Sequence, residues 1–117
     1  MAFLTEQQQL LNLYQILPSQ QRQKIVRKAQ DYVLVLDRAI NAVLAPTVRW
    51  DEAQGQYVAL DDVIALYGVG STPKEALDEY RAVVVEYYES LEENEAQLSD
   101  WLKEQFVTLR RIFARLE

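Results

Sequence analysis

The run Gly68-Val69-Gly70-Ser71-Thr72-Pro73-Lys74-Glu75-Ala76-Leu77 constrains this chain more than any other segment. Thr72 is a good helix N-cap, Pro73 suits the first helical position, and Glu75 at the third position completes a capping box. A helix therefore opens here. Leu77, Tyr80, Val84, Tyr87 or Tyr88, and Leu91 continue its apolar face, while Glu86, Glu89, Glu92, Glu93 and Glu95 load the other side. The two glycines before the cap end an apolar run, so the helix follows an extended segment directly.

Upstream of that point the hydrophobic period changes twice. Thr5 and Gln8 predict a capped helix over about Glu6–Leu17, with Leu10, Leu13, Tyr14 and Leu17 on one face. Ser19 can cap a second helix carrying Ile25, Ala29, Tyr32, Val33, Leu36, Ile40 and Val43, ending by Ala45 because Pro46 cannot continue it. At 1.5 Å per residue such a helix is about 38 Å long, and Leu34, Val35 and Leu44 widen its apolar stripe. A helix apolar over so much of its circumference is expected to be buried on more than one side, by a kink or by a second copy of the chain.

From Thr47 the pattern is β-like: Thr47–Trp50, Gln56–Leu60 and Val63–Tyr67 predict three strands of an antiparallel meander, joined by turns at 51–55 and at Asp61-Asp62. Trp50 is expected to pack under the covering helix. A last helix starts near Ser99, with Leu102, Phe106, Leu109, Phe113 and Leu116 on one stripe. The fold class is thus α+β: a small three-stranded antiparallel meander covered by a helix, with two N-terminal helices and a C-terminal helix. The whole of 1–117 is read as one domain, comprising a helical extension (1–46), a ββ(β)α unit (47–97) and a C-terminal helix (98–117).

Composition narrows the chemistry. The 117 residues include no cysteine and no histidine, which removes disulfides, thiolate chemistry and the side chain most used for proton transfer near neutral pH. No stretch of about 20 apolar residues is present, and Met1–Gln9 has no basic start, so a cytoplasmic location is expected. The net charge of −6 is concentrated in 47–97, which holds three basic and twelve acidic side chains. That acidity disfavours direct nucleic-acid binding and favours a basic protein partner.

Three local patterns could carry chemistry, and each has a plainer reading. Glu86, Glu89 and Glu93 share a helix face that could hold magnesium only if further oxygens converged on it, so a solvated acidic face is the expectation. Gly68–Thr72 precedes a helix N-terminus but lacks the lysine of a phosphate-binding loop, and reads as a turn with a cap. Arg22, Lys24, Arg27 and Lys28 span less than two turns and read as a solvated face. No catalytic residue, cofactor or metal is expected, and the chain is read as non-enzymatic.

Val48-Arg49-Trp50-Asp51-Glu52, Gly55-Gln56-Tyr57-Val58-Ala59 and Gly68 through Leu77, followed by a long helix, resemble the HicB-like antitoxin family over about residues 47–95. The Pro-Asp-Leu-Pro-Gly-type segment usual between strands in that family is replaced here by Asp61-Asp62-Val63-Ile64. The resemblance implies an incomplete ribonuclease-H-like unit without nuclease activity that pairs with a small, basic, RNA-targeting toxin and tends to oligomerise. Candidate partner-binding residues are the acids Asp51, Glu52, Asp61, Asp62, Glu86, Glu89 and Glu93. Candidate homodimer-interface residues are Tyr32, Leu36, Ile40, Phe106 and Phe113. The alternative is a structural homodimeric interaction module with no toxin partner.

Overall fold

The computed structural model describes residues 19–116, and the side chains of residues 31–116. The expected helix over Glu6–Leu17 and the side chains of the basic cluster at 22–28 lie outside the described residues. The order of elements is α1 (Ser19–Val43), β1 (Thr47–Asp51), β2 (Gln56–Leu60), β3 (Tyr67–Gly70), α2 (Pro73–Glu93), a single 3-10 turn (Glu95–Gln97) and α3 (Asp100–Ala114). The strands form one antiparallel sheet in the order β1-β2-β3, and the fold is α+β. Helix α2 packs against β3 and β2, and α1 packs against α3.

Each helix boundary has a local cause. Thr72 Oγ1 accepts the Glu75 N–H at 3.1 Å, and Pro73 occupies the first turn of α2. The Thr72 N–H contributes only weakly to holding the Glu75 carboxylate. That carboxylate reaches one residue further back, where the Ser71 N–H donates to it at 2.8 Å and the Ser71 hydroxyl donates as well. These bonds hold the Glu75 carboxyl below its usual pKa. Ser99 caps α3 by accepting the Leu102 N–H at 3.3 Å. Helix α1 stops two residues short of Ala45, which has φ +45° and is followed by Pro46.

The third strand departs from the sequence expectation. Val63–Leu66 is not a strand; pairing with β2 begins only at Tyr67, and Tyr57 faces Gly70, Val58 faces Val69, Ala59 faces Gly68, and Leu60 faces Tyr67. Backbone donors that a ladder would use are taken instead by the Asp61 side chain. Asp61 Oδ1 accepts N–H bonds from Val63, Ile64 and Ala65 at 2.9, 2.6 and 3.0 Å, and Oδ2 accepts that of Leu66 at 3.1 Å. Short aspartate side chains compete with regular structure in this way. Ala65 is held at φ +67°, a conformation that costs a non-glycine residue about 1–2 kcal/mol. The loop turns Ile64 and Leu66 onto the core and leaves Val63 exposed.

Alternation along the strands assigns two faces to the sheet. Val48, Ala59 and Gly68 form one row of the packed face, and Trp50, Tyr57 and Gly70 form the next. Helix α2 lies so close to this face that β3 can present only glycine to it. A Cβ on Gly68 would meet the Ala76 carbonyl oxygen and the Tyr80 Cα at 2.7 Å, and a Cβ on Gly70 would meet the Ala76 nitrogen at 2.6 Å. Trp50 lies on this face but beyond the helix: it is half exposed and meets Tyr57 edge-on, with ring centroids 5.0 Å apart.

One core joins all the elements. Leu36, Ala39, Ile40 and Leu44 of the α1 region pack with Ala59, with Ala76, Tyr80, Val84, Val85 and Leu91 of α2, and with Phe106, Leu109, Ile112 and Phe113 of α3. Tyr88 stacks on Phe113 at 4.2 Å. Arg81 ties α2 to α1 by a two-pronged bond to Asp37 at 2.7 and 3.0 Å, and also bonds Asp78 at 2.8 Å.

The glycine row gives a direct test. Gly68→Ala should destabilise the chain by about 3 kcal/mol or more, because the clashing atoms are helix backbone that cannot swing aside. Gly55→Ala, at φ +64° with open space around it, should cost only about 1–2 kcal/mol. Urea titrations of the two variants distinguish these outcomes.

Candidate functional site

Among the described residues, nothing packs on the second face of the sheet. Its rows are Thr47, Leu60 and Tyr67, then Arg49, Val58 and Val69, then Asp51 and Gln56. Arg49, Asp51, Gln56, Val58, Tyr67 and Val69, with the hairpin turn, line a shallow concavity of ≈ 720 Å³, with Glu52, Ala53 and Gln54 along its rim. Tyr67 is 61% exposed on this face, and Val58, Leu60 and Val69 are half-buried beside it. The face thus sets an aromatic ring among aliphatic side chains, with Arg49 in its middle row and acids at its rim.

The acids expected to bind a partner do not form one site. Asp51 and Glu52 lie at the hairpin end of the concavity. Asp51 Oδ1 accepts the Ala53 N–H at 3.1 Å, which orders that turn. Asp62 is exposed in the loop leaving β2 at the opposite end. Glu86 and Glu93 are exposed on α2, on the other side of the sheet, and Glu89 is half-buried between them. Burial first, then the neighbouring charges of Glu92, Glu93 and Glu86, raise the Glu89 carboxyl above its usual pKa. Among the described residues no group of acids is arranged to hold a metal ion.

Asp61 is a correction to the partner-binding set. It is 1% exposed, and besides its four backbone donors it accepts the Tyr80 hydroxyl at 2.8 Å on Oδ2. Burial and the adjacent carboxylate raise the Tyr80 phenol well above its usual pKa, so it stays a proton donor. Both carboxylate oxygens are engaged internally, and no oxygen faces a partner.

The homodimer-interface set is also corrected. Leu36, Ile40, Phe106 and Phe113 are buried in the core of a single chain, and Tyr32 packs half-buried against it. The stripes of α1 and α3 that look like an intermolecular surface satisfy each other. What α1 does expose is the adjacent pair Leu34 and Val35.

Tyr67, Val58 and Val69 are the site residues that sequence reasoning missed. A signal for them exists in Tyr67-Gly68-Val69-Gly70. Large and absent side chains alternate there, as expected where one face meets a helix closely and the other stays open.

No protein-family model, no curated protein and no solved structure matches this chain. Its reading therefore rests on the geometry above. Among the described residues, no helix is long and apolar enough to cross a membrane.

Two outcomes check the electrostatics. Asp61→Ala should destabilise the fold by about 3–5 kcal/mol by stranding buried donors, whereas Tyr80→Phe should cost only about 1–2 kcal/mol; chemical denaturation reads both. Because its folded pKa is raised, Glu89 binds a proton more readily in the folded chain than in the unfolded one. It therefore adds stability as pH falls from neutral through that raised value. Asp78, lowered by Lys74 and then Arg81, acts with the opposite sign, and its contribution is lost only at lower pH. Glu89→Gln should raise the melting temperature at pH 7 and abolish the gain on mild acidification.

Proposed function

We propose that this chain is a non-enzymatic, HicB-like binding protein that uses the open face of its sheet to engage a small basic protein, such as an RNA-targeting toxin. The observation that carries this reading is the asymmetry of the sheet. One face is filled to backbone contact by α2, while the other, among the described residues, presents Tyr67, Val58 and Val69 uncovered. The acids Asp51 and Glu52 at one end and Asp62 at the other supply charge complementary to a basic surface. The other acids of 47–97, the buried Asp61 apart, extend that field around the rest of the unit and would speed encounter.

The exposed acids Glu86 and Glu93 belong to that field and not to the contact surface. They would change the association rate and its salt dependence more than the lifetime of the complex. Self-association is a second reading, supported by a sheet edge that carries no partner among the described residues.

The first reading is tested by co-expressing the full chain with a small basic protein encoded by the adjacent reading frame. A complex should form and weaken with rising salt, and Tyr67→Asp should weaken it about 30-fold or more, as for a central aromatic anchor. Failure of such a protein to co-purify, or a complex indifferent to Tyr67→Asp, removes this reading.

A further inference from the structure

The two outer edges of the sheet are treated differently. At the β3 edge the outward N–H of Val69 donates to the Glu79 carboxylate, and that of Ser71 donates to Glu75. Side chains of α2 thus occupy this edge and block further strand pairing, a common way of protecting an edge.

Among the described residues the β1 edge has no such cover. In an antiparallel sheet the N–H and C=O of one residue point the same way, and successive residues alternate. The Val69 N–H points away from β2, and the Asp61 N–H points toward Leu66. Val58 and Leu60 therefore aim their backbone groups at β1, where they meet Arg49 and Thr47. It follows that Val48 and Trp50 aim theirs outward. Among the described residues, no loop backbone or side chain hydrogen-bonds to the N–H of either. The half-exposed Trp50 ring stands at this same edge.

We propose that the β1 edge pairs antiparallel with the β1 edge of a second copy of this chain, joining two three-stranded sheets into one of six strands. Charge selects the occupant and the register. A two-fold axis at Arg49 would set two like charges directly opposite each other, which is unfavourable. An axis at Val48 would bring Trp50 against Pro46, which has no N–H to offer. An axis at Trp50 sets Arg49 opposite Asp51 of the second copy, twice, with both pairs on the open face. Asp51 keeps Oδ2 for this, since its bond to Ala53 uses Oδ1. Trp50 then faces Trp50 as a hydrogen-bonded pair, exchanging two N–H···O=C bonds, with the two indoles adjacent on the opposite face. Strand β1 is self-complementary in charge in this register alone.

The proposal sharpens the self-association reading by giving it a surface. It shares Asp51 with the face offered to the basic partner, so it is tested on the chain alone, where failure to dimerise leaves the basic-partner reading standing.

Sedimentation velocity on the full chain, with a charge-swap series, tests it. The native chain should dimerise. Arg49→Asp and Asp51→Arg should each weaken the dimer at least about tenfold, since both cross-strand pairs turn repulsive. The double variant Arg49→Asp/Asp51→Arg restores opposite charges and should recover affinity to within about threefold of native. Arg49→Gln, which removes charge without inverting it, should fall between, so the order of effects stands even where an inversion disturbs the strand. A native chain that is monomeric at about 100 µM overturns the proposal. So does a dimer that ignores the single inversions, which would place self-association on another face, or a double variant that fails to recover.

Discussion

The Asp61 carboxylate is the interaction on which the rest of the structure depends. It gathers the N–H groups of Val63, Ile64, Ala65 and Leu66 and the hydroxyl of Tyr80 around two buried oxygens. A buried carboxylate is tolerable only when its hydrogen-bonding capacity is met, and here five donors meet it. The Asp61 N–H donates to the Leu66 carbonyl at 3.3 Å, closing the loop where β3 begins. The Tyr80 bond adds a second constraint by pinning α2 to the same loop. Strand register and helix position are thereby set from one point.

From that placement the two faces of the sheet acquire opposite characters. With Tyr80 drawn down onto Asp61, the α2 backbone comes within a Cβ's reach of β3, so Gly68 and Gly70 are the residues that fit there. The intervening Tyr67 and Val69 are turned to the other side. The same helix brings Glu75 and Glu79 alongside the β3 edge, where they take up outward N–H groups. One face and one edge are closed by α2. Among the described residues, the opposite face and the β1 edge carry no such cover.

The helices close the core without needing a second chain. Leu36 and Ile40 of α1 meet the stripe of α3, and the Arg81–Asp37 bond ties the pair to α2. On the outer side of α2, partial burial and then the nearby charges of Glu92, Glu93 and Glu86 disfavour the ionised Glu89, which costs stability near neutral pH.

Local rules made much of the fold legible. The caps at Thr72 and Ser99, the stop at Pro46, the hairpin 47–60 and the period of α2 and α3 all depend on residues within a few positions of one another, and each stands in the structure. The β3 boundary was not legible. Val63–Leu66 has the composition of a strand, and only the burial of Asp61 against Tyr80, nineteen residues away, diverts its backbone donors. Nor could apolar periodicity tell an internal partner from an external one, so Leu36, Ile40, Phe106 and Phe113 read as an interface when they are core. By itself, then, the sequence determined where α1 ends, where α2 and α3 open, and the β1–β2 hairpin. The tertiary structure alone decided which face of the sheet is open, which edge is covered and which aspartate is buried, because those outcomes depend on how closely α2 approaches β3.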